Sequence, residues 1–237
     1  TERDDGEVQV TYDGHPLYLF ASDAAPGDVE GQGVGDIWFV VDASGVGQMF
    51  GADASVRFVQ PSSSAVALNR VLGDQPSAIF GSLSANGHVY LQNPSGVLFA
   101  PGAQVNVGSL VATTLQADAS QFMAGHLRLS NGHAATGGVV NEGQITASPG
   151  GHVVLAGPRL ANRGSIEAPG GTIGMAAGQA VTVDATGAGL LDICVPLAAI
   201  DASLHNSGRL VADGGAVSLQ VAAADAACGE GRHPWAS

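Results

Sequence analysis

Histidine, acidic, hydroxyl and thiol side chains are where chemistry would sit, and their spacing in this chain assembles no reaction centre. The seven histidines, His15, His88, His126, His133, His152, His205 and His233, show neither the i, i+4 spacing of a helical metal motif nor pairing with cysteines, and they read as surface or strand residues. Asp184, Asp192 and Asp201 are the acids that calcium or carboxylate chemistry would use if a wall of strands gathered them. They form no tight cluster in sequence and read as solvated turn acids. Ser62-Ser63-Ser64 lacks the surroundings of an activated nucleophile. Cys194 and Cys228 lie 34 residues apart, and an oxidising compartment would permit a bridge between them. No catalytic residue, metal site or cofactor is expected.

The residues that do stand out make turns. Asn93-Pro94-Ser95-Gly96 has proline to set φ and glycine for flexibility, which predicts a β-turn between two alternating segments, His88 to Leu91 and Val97 to Phe99. Alternation then directs Val89, Leu91, Val97, Phe99, Val105 and Val107 to a common interior as early rungs of strands.

Repetition extends this pattern. Asn141-Glu142-Gly143 opens a segment with Ile145, Gly150-Gly151, Val153 and Leu155; Asn162-Arg163-Gly164 opens one with Ile166, Gly170-Gly171, Ile173 and Met175; a third has Asn206, Gly208, Leu210, Gly214-Gly215, Val217 and Leu219. The first two openings are 21 residues apart and the next two 44, which predicts a solenoid with one degenerate turn around Val181 to Ile193. Ile145, Ile166 and Leu210 then occupy equivalent inward positions, Ile145, Val153 and Leu155 share one strand face with polar neighbours on the other, and paired glycines form the corners. Stacked coils align like residues, so Asn141, Asn162 and Asn206 form a side-chain ladder. The expected class is all-β, a parallel β-helix ending near Ala224.

Composition agrees. With 35 glycines, 45% hydrophobic and 12% charged residues, the chain is too apolar for disorder and too poor in Leu, Lys and Glu for a helical protein. A net charge of −13 with eight cations, all Arg, opposes nucleic-acid binding, and no apolar run is long enough to insert in a bilayer. Residues 1–45 hold ten of the 21 acids against Arg3 alone, which marks a boundary. No charged and apolar leader opens the chain at Thr1, so a mature product or a fragment is expected.

Several words of this sequence occur together in one family. VRFVQPSSSAVALNRV from Val56, Ala85-Asn86-Gly87, the Asn93-Pro94-Ser95-Gly96 turn and Leu110-Val111-Ala112-Thr113-Thr114-Leu115 resemble, in the same order, the secretion domain of two-partner-secretion exoproteins, the filamentous-haemagglutinin-like adhesins. The resemblance covers residues 46–225 and implies a right-handed parallel β-helix. It also implies secretion through the periplasm to the cell surface or medium by an outer-membrane β-barrel transporter with periplasmic docking domains. Asn69, Arg70, Asn86, Asn93, Pro94, Ser95 and Gly96 are the residues it assigns to transporter recognition. A chain threading such a pore unfolded would be obstructed by an early disulfide loop. The family's capping strands are absent before Val46. A free-standing adhesive module for a host-cell glycan or protein is a second reading, and a β-helical carbohydrate-active enzyme a third.

The N-terminal piece resembles a different family, secreted-repeat lipoproteins with a Tyr-x-aromatic-x-x-Asp motif, here Tyr18, Phe20 and Asp23. Alternation in Gln9 to Thr11 and Leu17 to Phe20 about Asp13-Gly14 predicts a hairpin. Residues 1–45 are expected to form a small β segment packed on the first rung around Val56 to Val59 as a substitute cap, and 226–237 an irregular tail.

Overall fold

A computed structural model of the chain describes residues 11–12, 15–16, 55–71, 75–118, 122, 126–130, 137–185, 191–197 and 202–221. From Ser55 onward the strands repeat in a fixed cycle over three faces. Face one stacks Ser55–Phe58, Ser82–Ala85, Gln104–Val107, Gln144–Ala147, Ser165–Glu167 and Arg209–Val211. Face two stacks Val66–Arg70, His88–Gln92, Ser109–Thr113, His152–Gly157, Thr172–Ala177 and Ala216–Val221. Face three stacks Ser77–Ile79, Val97–Phe99, Val139–Asn141, Arg159–Asn162 and Ser203–Asn206. Within each face all neighbours are parallel. The result is a parallel β-helix, its crossovers following the right-handed sense that strand twist imposes.

Stacking turns equal repeat offsets into columns. Leu83, Val105, Ile145, Ile166 and Leu210 form one inward column on face one. Val89, Leu110, Val153 and Ile173 form another on face two, beside Leu91, Ala112, Leu155 and Met175. Val97, Val139 and Leu160 close the interior from face three. These residues belong to one continuous core, in which Leu91 and Leu210 are only partly buried. The glycine pairs mark corners, with Gly150, Gly170 and Gly214 at positive φ. The rungs at Val89 to Val107 are preceded by a coil at Ser55–Phe58, Val66–Arg70 and Ser77–Ile79.

Two expectations are corrected. Between Asn162 and Asn206 there is no additional coil: Arg159–Asn162 pairs directly with Ser203–Asn206. The intervening Ala180–Ala185 and Leu191–Leu197 leave the helix and join Leu127–Ser130 and Gln116–Ala117 in a separate antiparallel sheet. Its Leu127, Leu129, Val181, Val183, Ile193 and Val195 pack on Val111, Val154, Ala156 and Ala176. The outward positions of face two next to Val153 and Leu155 are therefore apolar and buried, where polar neighbours were expected. A parallel sheet covered on both sides needs apolar residues on both. Gly174 belongs to this fit, since a Cβ there would collide with Cδ1 of Ile193.

At the N-terminus, Thr11–Tyr12 and His15–Pro16 pair antiparallel, while Gln9, Val10 and Leu17 to Phe20 of the expected hairpin lie outside the described residues. Tyr18, Phe20, Asp23, the proposed cap contact, Cys228 and the tail lie outside the described residues.

Candidate functional site

The Asn93 turn sits at the corner between faces two and three. Asn93 is fully buried, and every polar atom of its side chain is used: Nδ2 donates to the Gln75 carbonyl and to Ser77 Oγ, both at 2.9 Å, while Oδ1 accepts the Ser95 N–H at 2.9 Å. The Gly96 N–H returns to the Asn93 carbonyl at 3.0 Å, closing the turn. Gly96 has φ of 130°, and a Cβ there would lie 3.4 Å from both the Gly138 carbonyl oxygen and Pro76 Cβ. The side chain thus ties this corner to the coil before it. Pro94 and Ser95 are half-buried.

Asn69 and Arg70 belong to the same neighbourhood because they pair in register with Leu91 and Gln92. Arg70 is exposed and its guanidinium donates to the Ala117 carbonyl at 2.7 Å. Asn86 is elsewhere, at the corner between faces one and two. Its Oδ1 accepts from the Gln60 N–H at 2.6 Å and its Nδ2 donates to the Gln60 carbonyl at 2.7 Å. Gln60, which sequence reasoning passed over, is the hub there. Its Nε2 donates to the carbonyls of Ala65 and His88, and its Oε1 accepts the Gly87 N–H. The available signal was a glutamine beside Pro61 in a segment otherwise apolar or serine-rich.

Asn141, Asn162 and Asn206 lie in register at the end of face three. Asn141 Nδ2 donates to Asn162 Oδ1 and Asn162 Nδ2 to Asn206 Oδ1, each at 2.8 Å. Asn141 and Asn162 have no exposed surface. Replacing Asn162 by Ala therefore leaves the buried Asn141 Nδ2 only its long 3.4 Å contact to the Ser165 carbonyl and removes the donor from Asn206 Oδ1. We expect a loss of about 2–3 kcal/mol by urea denaturation. Arg163→Ala, which breaks only the exposed 3.0 Å pair with Glu142, should cost less than about 1 kcal/mol.

Of the residues with chemical potential, Ser62 and Ser64 share a 3.0 Å exposed hydroxyl contact. Asp184 and Asp192 are register partners in the outer sheet, and Asp201 lies outside the described residues. Among the described residues, no three His, Cys, Asp or Glu side chains converge on a common point, and no helix is long and apolar enough to cross a membrane. Two histidines do meet. His88 and His152 point out from face two with ring centroids 5.4 Å apart, beside Tyr90. Burial lowers the pKa of His88; burial and the neighbouring His88 push His152 down to about 4, and burial pushes Tyr90 up to about 12.

This architecture defines a β-solenoid whose polar side chains secure corners and stacked rungs. The TPS secretion domain model matches residues 49–230, and the chain belongs to that family: it is the secretion module of a two-partner-secretion exoprotein, a class exported across the outer membrane to the cell surface or medium. Residues 1–42 match a secreted repeat of unknown function. The chain is 40% identical over 123 residues to a heme/hemopexin-binding protein of Haemophilus influenzae strain Rd, covering 50% of this chain and 14% of that protein. It is 53% identical over 64 residues to a second Haemophilus influenzae heme/hemopexin-binding protein, covering 27% of this chain and 7% of the relative. The crystal structure of the HMW1 secretion domain from Haemophilus influenzae superposes with a TM-score of 0.63 at 27% identity, over 73% of this chain and 48% of that one. The match thus spans a small part of the curated relatives and about half of the HMW1 chain.

Proposed function

We propose that the periplasmic domains of an outer-membrane transporter read the segment from Val66 to Leu115 before it folds, through Asn69, Arg70, Asn86 and the Asn93-Pro94-Ser95-Gly96 turn, and that the module has no catalytic role. The observation that supports this is the complete burial of Asn93. In an unfolded chain its amide is free to bind a partner; in the β-helix the same donors and acceptor are committed to Gln75, Ser77 and Ser95. Folding outside then removes the recognised element and makes release one-way. Each new coil adds to the bias, since a fully buried aliphatic side chain such as Ile166 or Met175 contributes about 1.5–3 kcal/mol of transfer free energy.

The test compares a synthetic peptide of residues 66–115 with the folded module for binding to the transporter's periplasmic domains. The peptide should bind at least about tenfold more tightly, a difference of about 1.4 kcal/mol. Equal binding by the two would overturn the reading. The 40% identity to a heme/hemopexin-binding protein supports a second proposal, that the exoprotein served by this module captures a haem carrier; it rests on 14% of that relative's length.

A further inference from the structure

We propose that His88, Tyr90 and His152 form a binding site for a divalent transition-metal ion, zinc or copper(II) in type, on the outer side of face two. His88 and His152 open their strands on either side of Ser109. Ser109 is small and its Oγ accepts the His152 N–H at 3.0 Å, so the two imidazoles meet over it. Their ring centroids lie 5.4 Å apart with planes at 83°. Tyr90 Oη lies 3.5 Å from His152 Nε2.

These separations suit donors sharing an ion. Bonds of about 2.0–2.1 Å at a tetrahedral angle place donor atoms about 3.3 Å apart and the centroids of two bound imidazoles about 5 Å apart. A hydroxyl–imidazole contact of 3.5 Å is long for a hydrogen bond, whose usual range ends nearer 3 Å. Two nitrogens and one phenolic oxygen are a borderline donor set that suits zinc and copper(II) over calcium or magnesium. Phe122 packs edge-on against Tyr90 at 5.9 Å and fixes the phenol, while His88 stays half-exposed and leaves an approach for the ion.

The test strips the full chain with chelator and titrates zinc(II) by calorimetry at neutral pH, with circular dichroism confirming the fold of each variant. One equivalent per chain should bind and raise the melting temperature. His88→Gln and Tyr90→Phe should each weaken binding at least about tenfold, whereas His205→Gln, at an exposed histidine of face three, should leave it unchanged. With copper(II), a visible phenolate-to-metal absorption should appear and vanish in Tyr90→Phe. Absence of stoichiometric uptake would overturn the proposal, as would uptake undiminished in a folded His88→Gln variant.

Discussion

Ile166→Asp should abolish the cooperative fold. Ile166 has no exposed surface and stands in register between Ile145 and Leu210, with Val105 one coil beyond Ile145. A carboxylate placed in that column meets aliphatic groups, so it either carries an unpaired charge in a poor dielectric or takes up a proton at a cost. Several kcal/mol are lost either way, against a total stability of about 5–15 kcal/mol for a domain. Ile166→Ala removes the same methyl groups without the charge and should cost about 2–5 kcal/mol. The measurement is urea denaturation followed by far-UV circular dichroism: the Ala variant keeps a sigmoidal transition at lower urea, whereas the Asp variant shows none. A cooperative transition in Ile166→Asp at the wild-type midpoint would refute the inward column.

Asn93→Ala combined with Gly96→Val should reduce secretion at least about tenfold, because it strikes the turn twice. The first change removes the bonds from Asn93 to the Gln75 carbonyl, Ser77 Oγ and the Ser95 N–H; of these Ser77 is buried, where losing a hydrogen-bond partner costs about 1–3 kcal/mol. The second forces a branched side chain into a backbone conformation at φ of 130° that valine resists, against the Gly138 carbonyl and Pro76. Co-expression with the cognate transporter and assay of the culture medium reads the outcome. Wild-type levels of folded double variant in the medium would mean that the turn serves neither folding nor recognition.

The sequence alone determined the features that depend on local periodicity. Alternation and the recurring Asn-x-Gly words set strand length, corner position and repeat offset. Stacking at those offsets puts Ile145, Ile166 and Leu210 in one column and Asn141, Asn162 and Asn206 in another. The antiparallel pairing of Thr11–Tyr12 with His15–Pro16 was legible for the same reason, since the signal lies in adjacent residues.

What only the tertiary structure decided depends on partners far away in the chain. Val181, Val183, Ile193 and Val195 have the alternation of a coil, and a strand that covers a sheet must alternate in the same way as a strand that builds one. The 44-residue interval from Asn162 to Asn206 fits one degenerate turn by count, whereas the structure places these four residues in the outer layer on face two. His88 and His152 are 64 residues apart, and Gln60 and Asn86 are 26 apart. Neither spacing is a motif, because the interval between residues on neighbouring rungs changes with every excursion inserted between them. Local alternation specifies which way a side chain faces, and only the stacking of coils specifies which residue it meets.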